Sequence, residues 1–149
     1  MARPKRYVAA GAYYHAMSRG VDGQPIYRVD DDFELFIRLL LIVQQRFRVV
    51  VHAYCLMPNH YHLIVETPLP NLPEAMKHLN GVYAQGFNRR YGRVGHLFQA
   101  RYVSLPIEDE RYAEVLVRYV RDNPVRAGLC ERASDWLWSW SGLGRVLAR

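Results

Sequence analysis

The chain is poor in the residues that would staple or anchor it. Only Cys55 and Cys130 occur in 149 residues, which excludes a disulfide framework and a thiolate zinc site and fits a reducing cytoplasm. No apolar run approaches the roughly 20 residues needed to cross a bilayer. The N-terminal "MARPKRYVAAGAYYHAM" is basic but lacks an apolar signal core, so neither secretion nor membrane insertion is expected. Internal repeats, linkers and low-complexity tracts are also missing. Acidic residues are scarce against basic ones, 14 to 20. The net charge of +6 favours a polyanionic partner, nucleic acid first, without naming it.

What is present reads as one α+β domain over residues 1–149. Half of the residues are apolar and 23% charged, enough for a buried core. Tyr13 to Ser18 predicts a strand, followed by the Gly- and Pro-containing loop "GVDGQPIY". Asp31 and Glu34 resemble a capping box before an apolar helical stripe of Phe33, Phe36, Ile37, Leu40, Val43 and Phe47, ending near Arg48. Val49 to Glu66 reads as a hairpin turning at Pro58-Asn59. A second helix runs from Asn71 through Leu79, Tyr83 and Phe87 into the basic "NRRYGRVGHLFQARY", and "YVSLPI" is a further strand. Asp109 to Asp122 is a third helix with Tyr112, Val115, Leu116, Tyr119 and Val120 on one face, stopped by Pro124. The aromatic tail "DWLWSWSGL" is expected to pack. The order β-α-β-β-α-β plus a helix is that of a ferredoxin-like (RRM-like) sandwich, one antiparallel sheet with helices on one face.

Residues two apart in a strand share a side, so His60 and His62 present two imidazoles to one sheet face with Ile64 and Glu66. Such a pair suits a divalent metal but needs another donor; two polar residues on a solvated face are the plainer alternative. Tyr119 and Asn123, four apart, share a helical face, and Asn123 supplies a carbonyl oxygen at the helix end. A core position for Tyr119 is the plainer alternative there. Glu66 either orients an imidazole or ends the strand in solvent, and His15 and His52 read as structural. Arg19, Arg89, Arg90, Arg93, Arg101 and Arg126 are candidate phosphate contacts. Tyr91, Phe98 and Tyr102 either stack unpaired bases or fill the core.

The segments "MPNHYHLIVE", "YVRDNPVRAGL", "SRG" and "GHLFQARY" together make the chain similar to the REP-associated tyrosine transposases, single-tyrosine HUH nucleases related to insertion-sequence transposases. The likeness runs from about Tyr13 to Ser141. It implies that His60, His62 and Asn123 hold a divalent metal, Mg2+ or Mn2+, and that Tyr119 is the nucleophile. It further implies a covalent 5'-phosphotyrosyl intermediate and strand transfer on single-stranded or hairpin-forming repeat DNA, by a monomer or homodimer. Related insertion-sequence transposases carry Gln where Asn123 stands. Phe98 replaces a commoner Trp, for which only a packing consequence is expected. Two alternatives are a nucleic-acid-binding module without cleavage and a metal-dependent phosphodiesterase using water, which would leave Tyr119 without a task.

Overall fold

The computed structural model describes residues 8–142. The basic stretch up to Tyr7 and Leu143 of the aromatic tail lie outside the described residues. Five strands, β1 (Ala12–Arg19), β2 (Val50–Met57), β3 (His60–Thr67), β4 (Val103–Ile107) and β5 (Ser139–Ser141), form one sheet in the order β4-β1-β3-β2-β5. Every pairing is antiparallel. β3 is therefore the central strand, and its side chains are covered on both faces.

Helices α1 (Asp30–Phe47) and α2 (Leu72–Tyr91) pack on one face, as the ferredoxin-like reading expects. Tyr14, Phe36, Tyr61, Leu63, Leu79 and Tyr83 are almost fully buried between them and the sheet, each worth about 1.5–3 kcal/mol of apolar burial. The capping of α1 differs from the Asp31–Glu34 pairing expected from sequence. Asp32 turns back instead, and its carboxylate accepts the backbone N–H groups of Arg28 and Val29. The same buried carboxylate accepts Arg90 Nη1 at 2.8 Å and Tyr91 Oη at 2.5 Å, tying the end of α2 to the start of α1. Because Asp32 is only 2% exposed, these four hydrogen bonds offset its desolvation.

Helix α3 (Glu110–Arg121) takes the opposite face, so the expectation of helices on one face holds for α1 and α2 but not for α3. It starts with Asp109, whose side chain accepts the N–H of Tyr112 at 2.8 Å. Its buried positions are Ala113, Val117 and Val120, packed on Ala53, Cys55, Met57 and Ile64. The stripe expected from sequence is thus corrected: Tyr112, Val115 and Tyr119 are about half exposed, and Leu116 is partly buried. Both stripes have helical spacing, and the one with the smaller side chains lies against the sheet. A short turn of helix, α4 (Asn123–Arg126), follows at once, with Pro124 in its first turn where a missing N–H costs nothing.

Two local irregularities set what reaches the α3 face. A bulge between Val51 and Ala53 leaves His52 out of the pairing register with β3; Val51 joins the α1–α2 core, while the His52 side chain meets Glu66 on the other side at 3.0 Å. The tail closes the β2 edge: Trp136 Nε1 donates to Leu56 O, Leu56 N–H donates to Trp138 O, and the Trp138 ring stacks on Phe33. No helix among the described residues is long and apolar enough to cross a membrane.

The segment after β1 holds the Pro58-Asn59 turn. Gly20 N–H donates to Asn59 O at 2.8 Å, and Ile26 N–H donates to Pro58 O at 2.9 Å. Gly20 is required by close approach, since a Cβ there would sit 2.1 Å from the backbone oxygen of Gln24. Gly20→Ala is expected to lower unfolding free energy by about 1–3 kcal/mol and to shift the amide resonances of Asn59 and His60. Urea denaturation with two-dimensional NMR checks this; a variant as stable as the wild type with unmoved resonances would contradict it.

Candidate functional site

The antiparallel registers bring the site together. His60 lies opposite Arg19 on β1 and Met57 on β2, and His62 lies opposite Met17 and Cys55. Both histidines point to the α3 face, with ring centroids 5.0 Å apart. His62 is 9% exposed, so the alternative of two polar residues on a solvated face does not describe this strand. Burial lowers the pKa of His60, helped by the Arg19 charge. Burial first, then the His15, His60 and Arg126 charges, push His62 down to about 3. Both imidazoles are therefore neutral near pH 7, the form that ligates metal.

Each histidine has a partner at Nδ1. His60 Nδ1 lies 2.7 Å from Asn59 Oδ1, while Asn59 Nδ2 donates to Gly23 O at 3.3 Å. The second bond orients the amide, so its oxygen faces His60 and accepts from an Nδ1–H. The Nε2 lone pair of His60 is then open. His62 Nδ1 lies 2.9 Å from His15 Nε2 in the buried layer. Glu66 bonds to neither member of the pair and meets His52 instead.

Tyr119 stands on the outer side of α3, 52% exposed, and its hydroxyl makes no hydrogen bond to any described residue. The core position weighed for it is excluded. Arg126 crosses back from α4, donating through Nη2 to Tyr119 O at 2.6 Å and laying its guanidinium 3.9 Å from the Tyr119 ring centre. The Arg126 charge also contributes to lowering the His62 pKa. Asn123 is the first residue of α4 and half-buried, rather than at a fully exposed helix end. Its side chain makes no hydrogen bond to a described residue.

The candidate phosphate contacts divide. Arg19 and Arg101 line a groove of about 420 Å³ together with Asn59, His60 and Gln99. Arg126 covers Tyr119. Arg89, Arg90 and Arg93 lie at or just past the end of α2, on the layer away from the histidines; Arg90 is committed to Asp32, and Arg93 donates to Asn88 Oδ1 at 2.6 Å. Phe98 and Tyr102 are buried and Tyr91 packs on Phe87 beneath Arg28, so these three rings belong to the core and do not offer a stacking platform. The burial of Phe98 against Tyr61 and Tyr83 agrees with a packing role.

Among the described residues, no three His, Cys, Asp or Glu side chains are arranged to hold a metal ion. A metal at the histidine pair would need a donor of another type. Asn123, whose amide is not engaged by any described residue, has suitable chemistry, and two neutral imidazoles plus an amide oxygen fit a divalent ion. Sequence reasoning missed the positions of His15 and Asn59. His15 lies opposite Ile64, one pleat along from His62, so only the β1–β3 register could have revealed that diagonal pair.

A family model described as "Transposase IS200 like" matches residues 10–123. The chain belongs to the IS200-like transposase family, and transposase-type DNA processing is the function class this gives. Comparison with curated proteins finds no match. Among solved structures, one of a REP-associated tyrosine transposase bound to a REP hairpin is 19% identical, with a TM-score of 0.76 over all of this chain and 87% of that one. A candidate transposase from Deinococcus radiodurans R1 is 20% identical, with a TM-score of 0.52 over 82% of this chain and 97% of that one. At these identities the two structures speak for the fold.

The depressed His62 pKa has a thermodynamic consequence. His62 binds its proton near pH 6.5 in the unfolded chain and near pH 3 in the folded one, so stability is fully present above about 6.5 and is lost as pH falls towards 3. Urea unfolding between pH 5 and 7, above most carboxylate titration, is expected to show stability falling with acid in the wild type and a flatter dependence in His62→Gln. Equal slopes would contradict the burial of a neutral imidazole.

Proposed function

We propose that the protein is a metal-dependent endonuclease and strand transferase for single-stranded, hairpin-forming repeat DNA, working through Tyr119. The observation that carries this reading is the exposed Tyr119 ring, under the Arg126 guanidinium, on the helix that covers the histidine face. Membership of the transposase family supports it. So does the fold shared with a transposase that was solved bound to a REP hairpin.

In this reading His60, His62 and Asn123 hold a divalent ion. Bound there, Mg2+ or Mn2+ would offset the negative charge of the scissile phosphate and help hold it in line. A phenol is mostly protonated at pH 7, so the Tyr119 hydroxyl gives its proton to water or a base as its oxygen attacks phosphorus. The P–O3' bond breaks, leaving a 3' hydroxyl on one strand end and the 5' phosphate on Tyr119. The phosphodiester linkage is conserved, so a 3' hydroxyl can attack the phosphotyrosine, release the tyrosine and rejoin strands without ATP. Arg126 would steady the nucleophile from one side of its ring. Arg19 and Arg101, at the groove beside His60, would bind flanking phosphates bidentately.

The test is incubation with labelled hairpin oligonucleotides drawn from repeats flanking the gene, with Mn2+ or Mg2+, resolved on denaturing gels. The wild type is expected to give a metal-dependent, protein-linked DNA band, and Tyr119→Phe to lose it by more than about a thousandfold while still binding the hairpin. Hairpin binding by the wild type without any linked product under either metal would replace this reading with that of a binding module. Cleavage that persists in Tyr119→Phe would point to water as the nucleophile.

A further inference from the structure

We propose that His15 is the positioning residue for His62: its Nε2 accepts a hydrogen bond from His62 Nδ1–H and so leaves the His62 Nε2 lone pair bare towards the metal position. The proposal rests on the reading of His60 and His62 as metal ligands and adds a residue to it.

The two imidazoles are 2.9 Å apart, His15 Nε2 to His62 Nδ1, and both rings are buried, His15 at 6% exposure. One hydrogen lies between two neutral rings, and it has two possible homes. If His15 donates, His62 accepts at Nδ1 and carries its own hydrogen on Nε2, which blocks that nitrogen as a ligand. If His62 donates, its Nε2 is bare. The neighbouring histidine shows which arrangement the site is built around. Asn59 Oδ1 can only accept, its amide being oriented by Gly23 O, so His60 carries its hydrogen on Nδ1 and leaves Nε2 bare. His15 in the accepting state gives His62 the same tautomer, and the two ligand nitrogens then match. Geometry agrees with this division of labour. His15 stands on β1, held between β3 and β4 in the sheet, so its ring reaches His62 from a strand fixed on both sides. Losing such a partner commonly weakens metal binding by about 10–100-fold.

Long-range proton–nitrogen NMR on the metal-free protein reads the tautomer of His62 without any variant. The Nδ1–H form is expected, and the Nε2–H form would overturn the proposal. Mn2+ alone is then titrated by calorimetry into wild type, His15→Phe, which keeps a ring without an acceptor, and His15→Gln, which restores an amide oxygen. The expected outcome is about a 10–100-fold weaker Kd in His15→Phe with partial recovery in His15→Gln, whatever the effect of either on thermal stability. Wild-type affinity in a folded His15→Phe would overturn the role of His15 and leave the metal reading standing. No Mn2+ binding by the wild type would instead remove the metal reading itself, and the positioning role with it.

Discussion

The pairing of β1 with the central strand β3 is the interaction on which the rest depends. Its register places Arg19 beside His60 and brings His15 diagonally to His62. It also sets one side of β3, Tyr61, Leu63 and Val65, into the α1–α2 core. A slip of one residue would exchange those faces, exposing Tyr61 and driving two imidazoles into an apolar layer. The hydrophobic side of β3 thus enforces the position of the polar side, and core packing and site geometry have one cause.

Placing histidines on a strand covered from both sides has an electrostatic cost that the structure turns to use. With α3 over the face, the imidazoles stay neutral and their lone pairs remain available, which an exposed pair would lose more readily in mild acid. Small side chains on α3 make this cover possible. Ala113, Val117 and Val120 let the helix lie close to Cys55, Met57 and Ile64, and the same close seating leaves Tyr119 half exposed on the outer side. α4 then folds back so that Arg126 lies over the tyrosine ring.

Much of this was legible from the sequence. The alternation in "HYHLIVE" gave the face of the two histidines, and the helical stripes of α1 and α2 gave the first core layer, because strand and helix periods are local properties. The inner face of α3 was not legible, since two apolar stripes compete there and only the partner sheet chooses between them. The partners of His15 and Glu66 were not legible for a related reason: they lie on other strands, reached through a register and a bulge at His52 that no local pattern encodes. The arginines from 89 to 101 read as one basic cluster, whereas the fold sends Arg90 to a buried aspartate and Arg101 to the groove beside His60.

The account stands or falls on whether the histidine face and the segment after α3 form one ion site. Anomalous diffraction from crystals soaked in Mn2+ locates that ion directly. The account predicts a single strong peak bonded to Nε2 of His60, Nε2 of His62 and the side-chain oxygen of Asn123. A peak bonded through Nδ1, one held by other residues, or none at the histidine pair at saturating Mn2+ would contradict it.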